Sequence, residues 1–592
     1  MNDTAFTPSF GARLIGGADH PRTCFRLWAP NVPRAAVEVE GLPAFEMTRK
    51  SEGWFEAEVD CGPGARYRYR VRDDLAVPDP ASRLQDGDVH DASVVCDPQA
   101  YRWRHEDWRG RAWHEAVVME LHPGLCGGFE GITQRLPELA ALGVTAIELM
   151  PIADFPGPRN WGYDGVLPYA PDTAYGTPEQ LKAMIDAAHG HGIMVLLDVV
   201  YNHFGPDGNY LGVYAADFFR ADIHTPWGQA IDFRRRPVRD FFIENALYWL
   251  SEFRFDGLRF DAVHAISEKD FLVEMAERIR ARITGRHVHL VLENDDNLAR
   301  LLAPGRLYDA QWNDDLHHAF HVLLTGEREG YYIGYVDEPA AKLARGLAEG
   351  FIYQGEPSPY ADGAPRGEPS AHLPPTAFVS FLQNHDQIGN RAFGERLIAL
   401  SDPHALRAAY ALLLLSPQIP MLFMGEEIGA RQPFLYFTSF PQPELAHAVR
   451  DGRRQEFARF AAFADAQRRA RIPDPNDAQT FADSAPRRDG DSAYWERWVK
   501  LLLGVRRAHL FPRLAGARAI DAVALGHAAV FARWRMNDGS VLRLLGNLAP
   551  QPASLEPFAG GRLLFETEGA AASVARGELP AHAVLALLEE AS

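Results

Sequence analysis

Eight short apolar runs, spaced by segments of helical period and flanked at both chain ends by strand-like alternation, predict an α/β protein. The expected architecture is a (β/α)8 TIM barrel flanked by an N-terminal β-sandwich and a C-terminal antiparallel β domain. A length of 592 residues leaves room for three such units. With 47% apolar and 23% charged residues the chain is ordinary globular material, which excludes disorder.

The first unit is expected over 1–105. In Arg66-Tyr67-Arg68-Tyr69-Arg70-Val71-Arg72 one face carries Tyr67, Tyr69 and Val71 and the other four arginines, the mark of a half-buried strand. Cys24–Trp28, Ala35–Val39 and Trp54–Val59 add further strands, parted by Pro30-Asn31 and Gly62-Pro63-Gly64. The arginine row reads as a solvated face. The barrel is expected over 106–511, its strands in Ala116–Leu121, Thr145–Met150, Ile193–Val199, Phe255–Phe260, His287–Leu292, Arg306–Trp312, Thr376–Leu382 and Pro420–Met424. Between the third and fourth runs, Pro237 to Phe253 places Val238, Phe241, Phe242, Ala246, Trp249, Leu250 and Phe253 at 3.6-residue spacing, with Pro237 suited to a first turn. Insertions are expected at about 200–236 and 354–375, and Pro473–Ser492 reads as a surface loop. Over 512–592, Ala529–Met536, Asn537-Asp538-Gly539 and Ser540–Leu545 read as a hairpin of the C-terminal β domain.

Bulk properties narrow the function. A net charge of −19 argues against nucleic acid or an anionic membrane as partner. No apolar stretch approaches 18 residues, and Met1 to His20 lacks a secretory pattern, so a cytoplasmic location is expected. Four cysteines form neither a disulfide framework nor a metal-ligand spacing; reduced thiols, no metal and no cofactor are the expectation.

Ionisable residues close several of the apolar runs. The third ends in Asp198-Val199-Val200-Tyr201-Asn202-His203, the fourth in Arg259-Phe260-Asp261-Ala262-Val263-His264, the fifth in Glu293-Asn294, the seventh in Asn384-His385-Asp386-Gln387. In such barrels the C-terminal strand ends form the active-site mouth, so these groups are expected to meet there rather than in separate ion pairs. A doubly wound sheet explains that placement less well. Asp261 and Glu293 end adjacent strands, and carboxyls about 5–5.5 Å apart suit retaining glycoside hydrolysis. Arg259 shares a face with Asp261 and is expected to keep it ionised as the nucleophile. Glu293, with no cation beside it in sequence, is expected to be held protonated by like charge as the general acid/base. Asp386 would then stabilise the transition state through sugar hydroxyls.

These four segments, in this order, resemble the four conserved regions of the α-amylase superfamily of glycoside hydrolases, and the resemblance spans about 112 to 510. It implies the same roles for Asp261, Glu293 and Asp386. It also implies sugar contacts from His203, His385 and Arg259, and from Tyr163 in Asn160-Trp161-Gly162-Tyr163-Asp164. A finer resemblance, to trehalose-releasing members, rests on Glu148–Gly157, Asn202–Tyr210, Phe260–His264, Leu292–Asn297, Gln311–His318, Gln383–Leu397 and Pro443–Phe457. The short loop His122–Gly131 with Cys126, and Thr438-Ser439-Phe440, depart from that pattern. The resemblance implies cleavage of the α-1,4 bond joining a maltooligosaccharide to a terminal trehalose unit, with related α-glucans as partners. Trp312, Asp295, Asp296, Asp314 and Asp315 are expected to line the acceptor pocket beyond Glu293, and His264 is a further candidate for substrate contact. A branching or debranching enzyme on the same scaffold, and a non-catalytic glycan-binding protein, are the alternatives.

Overall fold

The computed structural model describes residues 6–17, 20–225, 227–303 and 307–591. Arg306, the expected start of the sixth run, and part of the stretch Met1 to His20 lie outside the described residues.

Eight parallel strands close into a barrel: Val118–Leu121, Ala146–Leu149, Met194–Val199, Gly257–Phe260, His289–Leu292, Ala310–Trp312, Phe378–Ser380 and Ile419–Phe423. Each lies within its expected run or begins one residue before it. The last strand pairs with the first, Met421 opposite Val118, so no edge is left unpaired. Inward positions stack Val118, Ala146, Met194, Val291, Ala310, Val379 and Met421 into a dry apolar floor. The helix Arg236–Ser251 begins and ends within two residues of the periodic stretch, with its proline in the first turn. The insertion before it folds into a short helix, Leu211–Tyr214, and a hairpin of Phe219–Thr225 and Gly228–Ile231.

At the N-terminus two sheets face each other. One is ordered Gly11–Leu14, Thr23–Trp28, Trp54–Val59, Thr48–Arg49; the other is built around Ala36–Val39 and Arg66–Arg72. Tyr67, Tyr69 and Val71 are buried between them with Phe25, Leu27 and Phe55. The arginines outside pair with acids: Arg66 with Asp86 and Glu40, Arg68 with Asp91, Arg70 with Glu38. This unit leans on the barrel insertion through His90, whose ring meets Tyr210 at 2.7 Å and Asp207 at 3.1 Å. The chain ends in a five-stranded antiparallel sheet in which Ala529–Arg535 and Val541–Asn547 form the expected hairpin.

The stretch 473–492 is more than a surface loop. It carries the helix Ala478–Asp483, buries Thr480 and Ser484, and ties Asn476 to Thr438 near the barrel mouth. All four cysteines are free thiols.

Candidate active site

Above the apolar floor the inward positions turn charged. Strand alternation carries Val118 to Glu120, Ala146 to Glu148, Leu196 to Asp198 and Gly257 to Arg259, all fully or nearly fully buried. Arg259 is the hub. Its Nη1 donates to Asp198 Oδ2 at 2.6 Å and to Asp261 Oδ1 at 2.8 Å, and its Nη2 lies 2.8 Å from Glu293 Oε2. The guanidinium lies over the Trp312 ring, 4.1 Å from its centroid. Burial alone would lower Arg259, but Asp198, Glu293 and Asp261 outweigh it and keep the cation fixed.

No cation adjoins Glu293 in sequence, but the fold brings Arg259 to it from the neighbouring strand. One planar fork grips both strand-end carboxyls, because adjacent strands bring them to its two nitrogens. Asp261 also accepts from Asn202 Nδ2 at 3.1 Å, and Glu293 from the Ala262 amide at 2.8 Å. Burial pushes the Asp261 carboxyl up; Arg259 pulls it back, while Asp198 and Asp386 add to the rise. Glu293 is raised by the same burial, opposed by Arg259 and reinforced by the charge of Asp261. Two carboxyls gripped by one guanidinium make an arrangement in which one group can attack while the other donates a proton.

His385 is built as a cation. Its Nδ1 meets Glu120 Oε1, its backbone N–H donates to Glu120 Oε2 at 3.1 Å, and its Nε2 faces Asp386 Oδ1 at 3.5 Å. Burial would lower it, but Asp386 and Glu120 outweigh that and hold it up to about 9. Tyr163 stacks on His385 with centroids 5.0 Å apart and donates its hydroxyl to Asp198 at 2.7 Å. His203, by contrast, is pushed down by burial and is occupied by Asn202 Oδ1 at 2.6 Å and the Tyr163 carbonyl at 3.0 Å.

A cleft open to solvent, with about 940 Å³ of empty space, adjoins Glu293 and Asp386. His264, Asp295 and Asp314 line it, together with His318, Tyr331, Tyr335, Tyr360 and Arg366. Three expected lining residues sit elsewhere. Trp312 is 1% exposed, because the inward register of its strand places it beneath Arg259 rather than against a sugar. Asp315 is buried and already accepts from Arg366, Asn297, Tyr335 and the Ile352 and Tyr353 amides, so it acts as a strut. Asp296 pairs with Lys269 at 3.3 Å, off the cleft.

Sequence reasoning passed over Glu120, Glu148, Asn202 and Arg366. The two glutamates gave the same signal as the others, an acid in an apolar strand run, one position before its last residue. Glu148 is pushed well above the usual carboxylate value, first by burial and then by the charges of Asp198 and Glu120. Arg366 comes from the insertion 354–375, where no periodic pattern marks a role. Trp227, 48% exposed on the other insertion, stacks on His203 with centroids 5.6 Å apart and was also missed.

A family model described as Alpha amylase, catalytic domain, matches residues 83–243, and a Domain of unknown function (DUF3459) matches 517–586. Barrel, strand-end acids and that match together define a glycoside hydrolase of the α-amylase class. The chain is similar to the malto-oligosyltrehalose trehalohydrolase of Saccharolobus solfataricus, at 42% identity over 76% of this chain and 80% of that one. A relative of the same name from Deinococcus radiodurans is 41% identical over 83% and 82%. A crystal structure of a putative α-amylase from Salmonella typhimurium superposes with a TM-score of 0.92 at 43% identity, covering 99% of this chain and all of the other. The chain belongs to the malto-oligosyltrehalose trehalohydrolase family.

Proposed function

We propose that this enzyme hydrolyses the α-1,4 bond between a maltooligosaccharide and its terminal trehalose unit with retention of configuration, releasing trehalose. The observation that carries the reading is the shared grip of Arg259 on Asp261 and Glu293 beside an open cleft. Asp261 attacks the anomeric carbon of the glucose on the donor side, while Glu293 gives its proton to the bridging oxygen and trehalose departs. Water, deprotonated by Glu293, then attacks that carbon and frees Asp261. Asp386, with the cationic His385 beside it, grips donor-sugar hydroxyls as the ring flattens. Arg259, Tyr163 and His203 shape the donor side; His264, Asp295 and Asp314 face the acceptor.

In this reading 1–105 is a carbohydrate-associated module, 106–511 the catalytic unit and 512–592 a C-terminal β domain, acting in the cytoplasm. No helix among the described residues is long and apolar enough to cross a membrane. Product analysis tests the function. Purified protein given maltooligosyltrehalose should release trehalose; new α-1,6 branches from starch, or debranching without trehalose, would overturn the reading.

A further inference from the structure

His318 is the buried polar side chain in the cleft wall that lacks a partner. It lies on the helix Asp314–Thr325, one turn after Asp314, and lines the same cleft as Glu293 and Asp386. The residue is 7% exposed, yet neither Nδ1 nor Nε2 has a hydrogen-bond partner among the described residues. Its ring is held by packing instead, with centroids 4.9 Å from Tyr331, 4.8 Å from Tyr335 and 5.2 Å from His317. The groups around it are already engaged. Tyr335 donates to Asp315, Arg366 bridges Asp315 and Asp295, and Asp314 accepts from Gln387 at 3.1 Å. A fixed ring with two idle nitrogens, in a wall where Gln387 Oε1 is also without a partner among the described residues, costs stability unless a ligand completes it.

The chemistry of that ligand follows. Burial, then the charges of His317 and Arg366, push His318 well below its ordinary value, so the ring is neutral and presents one donor and one acceptor. That pairing suits hydroxyls, which give and take a proton, better than a carboxylate or phosphate. Position follows from the helix. Asp314 lines the cleft with Glu293, Asp295 and Asp386, and His318 lies one helical turn, about 5.4 Å, from it. That step is about the length of one sugar ring.

We propose that His318 is a substrate-binding residue that reads the second glucose of the acceptor-side disaccharide, one ring nitrogen donating to a hydroxyl and the other accepting from one. The proposal rests on the trehalose-releasing reading above. It is tested by calorimetric titration of trehalose into wild-type protein, His318→Phe and His318→Gln, with KM and kcat on maltooligosyltrehalose measured beside it. Phenylalanine keeps the packing and should weaken trehalose about tenfold, the loss appearing in KM rather than kcat. Glutamine restores a donor and an acceptor and should recover most of the affinity. Equal affinity in all three proteins, or equal loss in both variants at unchanged thermal stability, would overturn the proposal. A crystal soaked with trehalose decides independently of the variants: a sugar hydroxyl within hydrogen-bond distance of the His318 ring supports it, and a disaccharide seated away from that ring overturns it. A wild-type enzyme that releases no trehalose would instead remove the reading beneath it.

Discussion

Two sets of strand arginines behave in opposite ways. Arg66, Arg68, Arg70 and Arg72 stand in a row on the outer face of the N-terminal unit, three of them paired with nearby acids and all in reach of water. Arg259 is fully buried and has three carboxylates within 2.8 Å. The count of ion pairs is similar; the dielectric around them is not. Water can replace any partner in the exposed row, whereas removal of Arg259 leaves Asp198, Asp261 and Glu293 buried without the cation they share. A functional site is therefore marked by charges forced to share one enclosed partner, not by charge density.

That contrast orders the expected effects. Asp261→Ala or Glu293→Gln should lower kcat by about four orders of magnitude while calorimetry still detects maltooligosaccharide binding. Arg259→Met should cost about 3–5 kcal/mol of stability in denaturant unfolding, and activity as well, because Asp198, Asp261 and Glu293 lose their common cation. A loss as small as that of a surface arginine would erase the distinction. The Glu120–His385 pair offers a subtler test. His385 is raised from 6.5 to about 9, so its stabilising contribution is full below about 6.5 and disappears as pH rises through 9. If the imidazolium is the active form, kcat/KM should fall on the alkaline side near pH 9. Glu120→Gln removes one of the charges that hold the proton and should move that fall to lower pH. Smallest of all, Arg70→Ala should change unfolding free energy by no more than about 1 kcal/mol and leave turnover unaltered.

The two halves of the cleft differ in how far the sequence reveals them. The acids of the mouth end strands, and a charge closing an apolar run is visible without a structure. Glu120 and Glu148 gave the same signal inside their runs, where the flanking apolar residues masked it. The acceptor half is assembled from Arg366 in an insertion, Tyr331 and Tyr335 in the short 3-10 helix Gly330–Tyr335, and His318 on a helix whose sequence reads as core. Arg366 reaches Asp315 across 51 positions, a pairing no local pattern encodes. Trp312 was misplaced for a related reason. Its aromatic character suggested stacking, but strand parity decides its face, and parity points it under Arg259. The cation that Glu293 lacks in sequence is likewise supplied by the fold, since the guanidinium arrives from the neighbouring strand.

The division of labour between the two gripped carboxyls is tested most directly by trapping the covalent intermediate. A fluorinated α-glucosyl fluoride that forms the glycosyl-enzyme quickly and releases it slowly should label one residue, located by mass spectrometry of the digested protein. The expected label is on Asp261, lost in Asp261→Ala; a label on Glu293 or Asp386 would contradict the assignment at the centre of the mechanism.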